Sequence, residues 1–303
     1  MIKRNFNFSS LFNKANILSL SIFVLSIIFI IFKGLNYGID FKGGTLIELR
    51  IQDNNFDISE IRSSFTKLNL GDVNVKEFGK KGDYLIKIEQ STKENSNFIN
   101  NLKKDVNTTL GVEVNFRRVE KVGPKVSKEL LQSGLTAIAL SLAAMLFYIW
   151  IRFEWQFSVG SIIALIHDIV ITVGIFSLMS FEINLSIIAA VLTIVGYSMN
   201  DTVVIYDRIR ENLSKYHKLS ISEISNLSIN ETLSRTIITS VTTLLALFAI
   251  FLLGGEILRG FSFAMILGVL IGTYSSIFVA SPILKYFKVS HKTMEKDEEE
   301  ILP

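Results

Sequence analysis

"LSIIAAVLTIVGYSMNDTVVIYDRIREN", residues 185–212, decides the fold. Between Leu185 and Tyr206 the only formally charged residue is Asp201, and the charges of Asp207, Arg208, Arg210 and Glu211 follow directly. An apolar run of that length, wound as a helix, matches a hydrocarbon layer of about 30 Å. Five further stretches have the same character: Asn16–Phe32, Leu130–Ile151, Phe157–Met179, Thr236–Gly254 and Phe261–Leu284. The composition agrees: 49% hydrophobic residues, 3 Pro and a mean hydropathy of +0.42 in 303 residues are not soluble-protein values. The expectation is a polytopic α-helical membrane protein with six transmembrane helices. The first stretch is too long for the apolar core of a signal peptide. No small-residue cleavage site stands before "GLNYGIDF" (residues 34–41), so it reads as a retained span.

Lys and Arg in the short loops orient these spans. Lys3, Arg4 and Lys14 precede the first, Arg152 lies between the second and third, and Arg208, Arg210, Lys215 and Lys218 follow the fourth. Lys285, Lys288 and Lys292 follow the sixth, whereas the opposite loops "SFEIN" and "GGEILRG" carry only Arg259. Positive ends lie on the cytoplasmic side, which puts both termini there. The net charge of +3 is then an anchoring charge, with no call for nucleic acid. Absence of Cys excludes disulfides, thiol chemistry and cysteine-ligated metals, and the three His, at 167, 217 and 291, share no metal-ligand spacing. The same absence permits a direct test of topology. Cysteines introduced singly at Asn54 and Lys215 are expected to label on opposite sides, and labelling of Lys215→Cys but not Asn54→Cys by an impermeant reagent in intact cells would overturn the orientation.

The spans leave one large polar segment, residues 38–128, between the first and second. "GGTLIELRIQ", "DVNVKEF", "DYLIKIEQ" and "GVEVNFRRVE" alternate as strands. "DISEIRSSFTKL", with Asp57 as N-cap and Glu60 at the capping-box position, and "KENSNFINNLKKDVNTTL" have the helical period. The order strand, helix, strand, strand, helix, strand is that of a ferredoxin-like α+β domain, here extracytoplasmic, with "KKGD" as its hairpin. The remaining boundaries follow: residues 1–15 a cytoplasmic N-terminus, 16–37 the first span, 129–285 spans two to six with a cytoplasmic loop over 207–234, and 286–303 a cytoplasmic tail. Within the loop, span four is expected to continue and "ISEISNLSI" to form a short amphipathic helix; the "EKDEEE" of the tail is a solvated charge run.

Asp201 raises the functional question. It lies about one and a half turns from the midpoint of its span, too deep for so short a side chain to reach bulk water. A charge there costs at least about 2.5 to 3.5 kcal/mol on insertion scales, so the carboxyl faces the bundle interior or a wet cavity, where it can gain and lose a proton. A carboxylate bonded only for packing is the plain alternative. Arg235 opens the fifth span toward the same face of the membrane, and Thr239 and Thr242 follow it on one helical stripe, so pairing of Asp201 with Arg235 is geometrically open. Snorkelling of Arg235 and ordinary packing of the threonines are equally simple readings. Asp168, near the midpoint of span three, is the second buried acid, read as an accessory relay or hydrogen-bond anchor. Its neighbour His167 points about 100° away on the helix and is expected not to share a narrow cavity with it; a supporting polar role and plain packing both stay open for it. Asn200 and Tyr197 are supporting polar groups.

Four motifs, "GIDFKGGTLIE" (38–48), "RFEWQFSVGSIIALIHDIVIT" (152–172), "VGYSMNDTVVIYDRIREN" (195–212) and "LSRTIITSVTTLLAL" (233–247), occur in order on the expected elements. Together they resemble the SecF members of the SecD/SecF family, within the resistance-nodulation-division superfamily. The resemblance implies six spans with a soluble domain after the first, a SecD partner, association with the SecYEG channel that SecA serves, and proton-driven handling of unfolded polypeptide. It implies a proton-transport role for Asp201 and Arg235, and marks Gly38, Asp40, Gly43 and Gly44 as the family's first motif, physically a tight turn from membrane to sheet. No GxxxxGK[ST], dinucleotide loop or GxSxG occurs, so neither ATP hydrolysis nor covalent catalysis is expected, and no cofactor. Two rival readings stay open: half of a small-molecule or lipid exporter of the same superfamily, and a non-transporting scaffold.

Overall fold

The computed structural model describes residues 5–51, 57–68, 70, 72–77, 81–88, 98–112 and 114–291. Asn54, Lys3, Arg4, Lys292, the "EKDEEE" run, and the start of the hairpin and of the second helix expected in the polar segment lie outside them. For the labelling test, Ser63 is an exposed described position that replaces Asn54. In chain order the elements are α1 (Phe12–Phe32), β1 (Asn36–Tyr37), α2 (Ile39–Lys42), β2 (Gly44–Ile51), α3 (Ile58–Lys67), β3 (Val73–Glu77), β4 (Asp83–Ile88), α4 (Phe98–Leu110) and β5 (Val114–Val122). There follow α5 (Pro124–Arg152), α6 (Trp155–Met179), β6 (Glu182–Ile183), α7 (Leu185–Lys215), α8 (Ile221–Leu253), α9 (Gly255–Ser275), a π-turn (Ser276–Ala280) and α10 (Ser281–Tyr286). Six helices are long and apolar enough to cross a membrane: α1 with the turn before it, α5, α6, α7, α8, and the continuous run Leu258–Tyr286. The chain is a multi-pass membrane protein.

It divides into two compact units: Met1–Asn36, Thr136–Phe181 and Ser186–Pro303 form one, Tyr37–Leu135 and Glu182–Leu185 the other. In the second, β3-β4-β2-β5 form an antiparallel sheet. With α3 and α4 as its crossovers this is the split βαβ arrangement. Ile47, Leu49 and Ile51 alternate onto the helix side, where with Ile86 and Ile88 they meet Ile61, Phe65, Leu102 and Val106. Asp57 caps α3 by accepting the Ser59 N–H (2.8 Å), one residue earlier than the capping-box partner Glu60, and the Ser59 N–H and hydroxyl hold its carboxyl below the usual range. Gly43 and Gly44 have φ of +83° and +128°, where a side chain would be strained.

In the first unit α6, α7 and the Leu258–Tyr286 run are half or more buried, while α1, α5 and α8 present residues such as Ile31, Leu140, Leu245 and Leu253 outward. That is the division between the inner and the hydrocarbon-facing helices of a bundle. Small residues bring the helices together: a Cβ on Gly174 of α6 would lie 2.3 Å from Ser26 of α1, on Gly268 2.2 Å from Ile194, and on Gly272 2.9 Å from Ser198. Residues 207–234 hold less loop than the charge pattern suggests. α7 runs on to Lys215, and α8 is continuous from Ile221 to Leu253, with no break between the amphipathic segment and span five. Ser220 and Glu223 form a reciprocal capping box, and neither Gly nor Pro interrupts the 33 residues that follow. Arg208 then clamps α7 to α8 through Glu231 (2.6 Å), which also accepts from Asn212 (2.7 Å); the guanidinium holds the Glu231 carboxyl below its usual range.

Candidate functional site

Two buried carboxylates lie in the first unit, and their surroundings differ. Asp168, on α6, is 0% exposed. Its Oδ2 accepts from the Ser198 hydroxyl of α7 (2.6 Å) and the Ser275 hydroxyl of α9 (2.7 Å), and its Oδ1 lies 2.9 Å from His167 Nδ1. His167 and Asp168 therefore do meet. Their Cα–Cβ bonds diverge as the helix requires, but the imidazole folds back along the helix surface to reach its neighbour's carboxyl.

Asp201, on α7, is 4% exposed and has far less support. Its one hydrogen bond among the described residues is a long one, 3.5 Å, from the Thr273 hydroxyl of α9. Thr273 in turn shares a hydrogen with Ser240 of α8 (2.7 Å). Next to Asp201, Thr202 bonds Ser276 of the π-turn (2.9 Å), and one turn on Tyr206 donates to the Ala280 carbonyl (3.0 Å). The π-turn has an identifiable cause. Pro282 supplies no N–H, and its ring would crowd the Phe278 carbonyl four residues back, so the helix widens there.

The other expected residues are distributed as follows. Arg235, on α8, is exposed and forms no ion pair with Asp201 or any other carboxylate among the described residues. Thr239 and Thr242 return their hydroxyls to carbonyls of their own helix, at Arg235 and Thr236 and at Ile238 and Thr239. The inward stripe of α8 is instead Thr236, Ser240, Thr243 and Leu247; Tyr197 donates to Thr243 (3.3 Å), and Asn200 is exposed. In the second unit the Gly38 N–H donates to the Ile183 carbonyl (2.8 Å), where a Cβ would strike Glu182, and Asp40 accepts the N–H of Leu185 (2.9 Å). The hydroxyls of Ser198, Thr202, Ser240, Thr273, Ser275 and Ser276 were not singled out by hydropathy. Their signal is the run "TYSS" (273–276) and the spacing of Ser198 and Thr202 around Asp201.

The arrangement is a seam of hydroxyls through α6, α7, α8 and α9 with one saturated and one under-coordinated carboxylate, inside helices that hydrocarbon surrounds. Each hydroxyl can both donate and accept a hydrogen bond, whereas an ionised carboxylate only accepts. Among the described residues, no group of three or more His, Cys, Asp and Glu side chains is placed to hold a metal.

Comparison with known proteins gives the family. The SecD/SecF C-terminal family of protein export membrane proteins matches residues 102–290, and the SecD/SecF GG motif matches residues 28–54. The protein translocase subunit SecF of Rickettsia rickettsii is 45% identical over 97% of this chain and 96% of its own length. That of Rickettsia felis is 47% identical over 90% and 91%. Among solved structures, SecDF of Thermus thermophilus, described as a translocon-associated membrane protein, aligns with a TM-score of 0.86 and 35% identity over 95% of this chain. The chain spans 39% of that longer protein. SecDF in a super-membrane-facing form aligns with a TM-score of 0.70. With relatives of this identity over nearly the full length, and a family match over most of the helical unit, the chain belongs to the SecD/SecF family of protein-export membrane proteins.

Proposed function

We propose that the chain is the SecF half of a bacterial inner-membrane machine that uses the proton motive force to assist polypeptide export through SecYEG. A SecD subunit supplies the other spans, and SecA serves the channel from the cytoplasmic side. Asp201 carries the reading: a carboxyl buried at membrane depth with a single long hydrogen bond is held in neither protonation state, whereas Asp168 has three polar partners. Protonation from one side and release to the other changes the charge that α7 carries against α9. One charge moved through 100 mV supplies about 2.3 kcal/mol, enough to bias a two-state packing of helices. Arg235, exposed on its own chain, finds its carboxylate at the interface with the partner or in Asp201 after a shift of α8.

A photo-crosslinker at the exposed Arg117 of β5 tests the export role. In energised membranes it is expected to capture a precursor in transit, and an uncoupler is expected to reduce the yield. Capture of no precursor under either condition would favour the small-molecule exporter or the scaffold.

Arg235→Ala is expected to impair export more than Arg235→Lys, because Lys keeps the charge but loses the planar fork. If Arg235 only snorkels, both variants export near the wild-type level, and the pairing is wrong.

A further inference from the structure

We propose that His167 is a second proton-carrying group in the membrane, and that Asp168 is its positioning residue. The assignment rests on the hydrogen-bond partners of the pair. The Ser198 hydroxyl has Asp168 Oδ2 as its one acceptor (2.6 Å), and the Ser275 hydroxyl approaches the same oxygen at 2.7 Å. Ser198 has no other acceptor among the described residues and donates to Oδ2, while Ser275 reaches both Oδ2 and the Gly272 carbonyl (3.1 Å). The opposite tautomer, with a proton on Oδ1 donated to Nδ1, puts the ring hydrogen on Nε2 and is separated by the spectra below; in the proposed one Oδ1 is ionised and accepts from His167 Nδ1 at 2.9 Å. This leaves His167 Nε2 as a bare lone pair, buried and without a hydrogen-bond partner, on a side chain 7% exposed.

That state is poorly compensated twice over: one carboxylate charge at zero exposure has no cation, and one buried acceptor has no donor. A single proton placed on Nε2 corrects the first fault without disturbing any of the three hydrogen bonds to Asp168. The imidazolium and carboxylate then form a neutral pair. The proton comes from water reaching Nε2 and bonds to the lone pair there; no other bond breaks, and release is the reverse.

Little else nearby competes. The imidazole lies parallel to the Phe23 ring of α1, centroids 6.2 Å apart. The ionisable side chain of α1 is Lys14, nine residues from Phe23, about 13 Å along the helix. On α9 the described ionisable side chains are Arg259 near its start and Tyr274, whose hydroxyl is engaged by the Ala15 carbonyl and Ser19. α7 brings Tyr197, Asp201 and Tyr206 within the membrane; the π-turn brings none, and α10 carries Lys285 and Tyr286 at its end. The dyad shares α7 and α9 with Asp201 and Thr273, so a movement of these helices against each other reaches both carboxyls. To that extent it deepens the export reading, but its titration stands independently of export.

The chain has three His, so replacing His217 and His291 by Asn leaves His167 alone. Nitrogen-15 histidine spectra of the full chain in membranes, recorded between about pH 5 and 8, then report this ring directly. The expected result is a neutral ring protonated at Nδ1 at the alkaline end and an imidazolium at the acid end. Asp168→Asn is expected to remove the Nδ1 preference. A ring protonated at Nε2 when neutral, or one that never becomes an imidazolium over this range, overturns the proposal whatever the export assay shows. If the double replacement perturbs the membrane protein, the difference between wild-type and His167→Asn spectra isolates the same signal.

Discussion

Asp201→Asn is expected to abolish the part of export that depends on the proton gradient while leaving the chain folded, inserted and bound to its partner. Asn has nearly the volume of Asp, and its carbonyl oxygen can still accept the hydrogen from Thr273, so the contact at 3.5 Å survives. Only titration is lost. A buried carboxylate with one long bond contributes little to packing, and removing its desolvation cost leaves stability unchanged or raises it. The measurement is secretion of a model precursor with and without an uncoupler, in wild type and variant. The variant should export at the uncoupled wild-type rate under both conditions. The expected loss is large because one charge through 100 mV, about 2.3 kcal/mol, corresponds to a bias of roughly fifty-fold. A variant that keeps the full response to the uncoupler makes Asp201 a structural residue and removes the basis of the proposed mechanism.

The contrast between the two acids bears on what the sequence could disclose. Hydropathy and charge located six spans because the bilayer imposes one length and one composition on every helix that crosses it. The order of elements in the polar domain followed from two periods, and Asp57 from the chemistry of a helix start. The site was legible only as single residues. Asp168 and Asp201 were visible as charges out of place, but which of them is saturated depends on Ser198, Thr273 and Ser275, and serine in a span is as common in plain packing as in a polar seam. His167 was misplaced for a related reason: a 100° step describes where Cβ points, whereas two side-chain torsions let an imidazole return to the neighbouring carboxyl at 2.9 Å. Arg235 was positioned by its helix, yet its side chain is exposed on the isolated chain. The unbroken α8 escaped notice because polar residues before Thr236 resemble a loop until the capping box at Ser220 and the lack of Gly and Pro after it are weighed together.

Gly268→Val is expected to disrupt the helical unit itself. Gly268 lies on α9 facing Ile194 of α7, and an added Cβ would stand 2.2 Å from Ile194 Cγ1 and 2.5 Å from its Cδ1, distances no pair of carbons sustains. Ile194 is 1% exposed and surrounded, so its side chain has no vacant space to enter. The helices must separate. Overpacking of this kind typically costs about 1 to 3 kcal/mol, and here each ångström of separation also lengthens the Ser198 and Ser275 bonds to Asp168. Within a membrane the loss is sharper, because helix association there relies on close contact and hydrogen bonds and not on expulsion of water. The expected outcome is a sharp fall in chain recovered folded from detergent, with export lost along with it. Ile194→Ala in the same chain removes the three carbons that a new side chain would strike, and is expected to restore recovery of Gly268→Val in large part while costing little by itself beyond its own cavity. The compensation separates a contact between these two positions from a general intolerance of Val at a helix glycine. If the double variant is no better recovered than Gly268→Val alone, Gly268 does not act through Ile194, and the packing of α9 on α7 described for this unit is wrong.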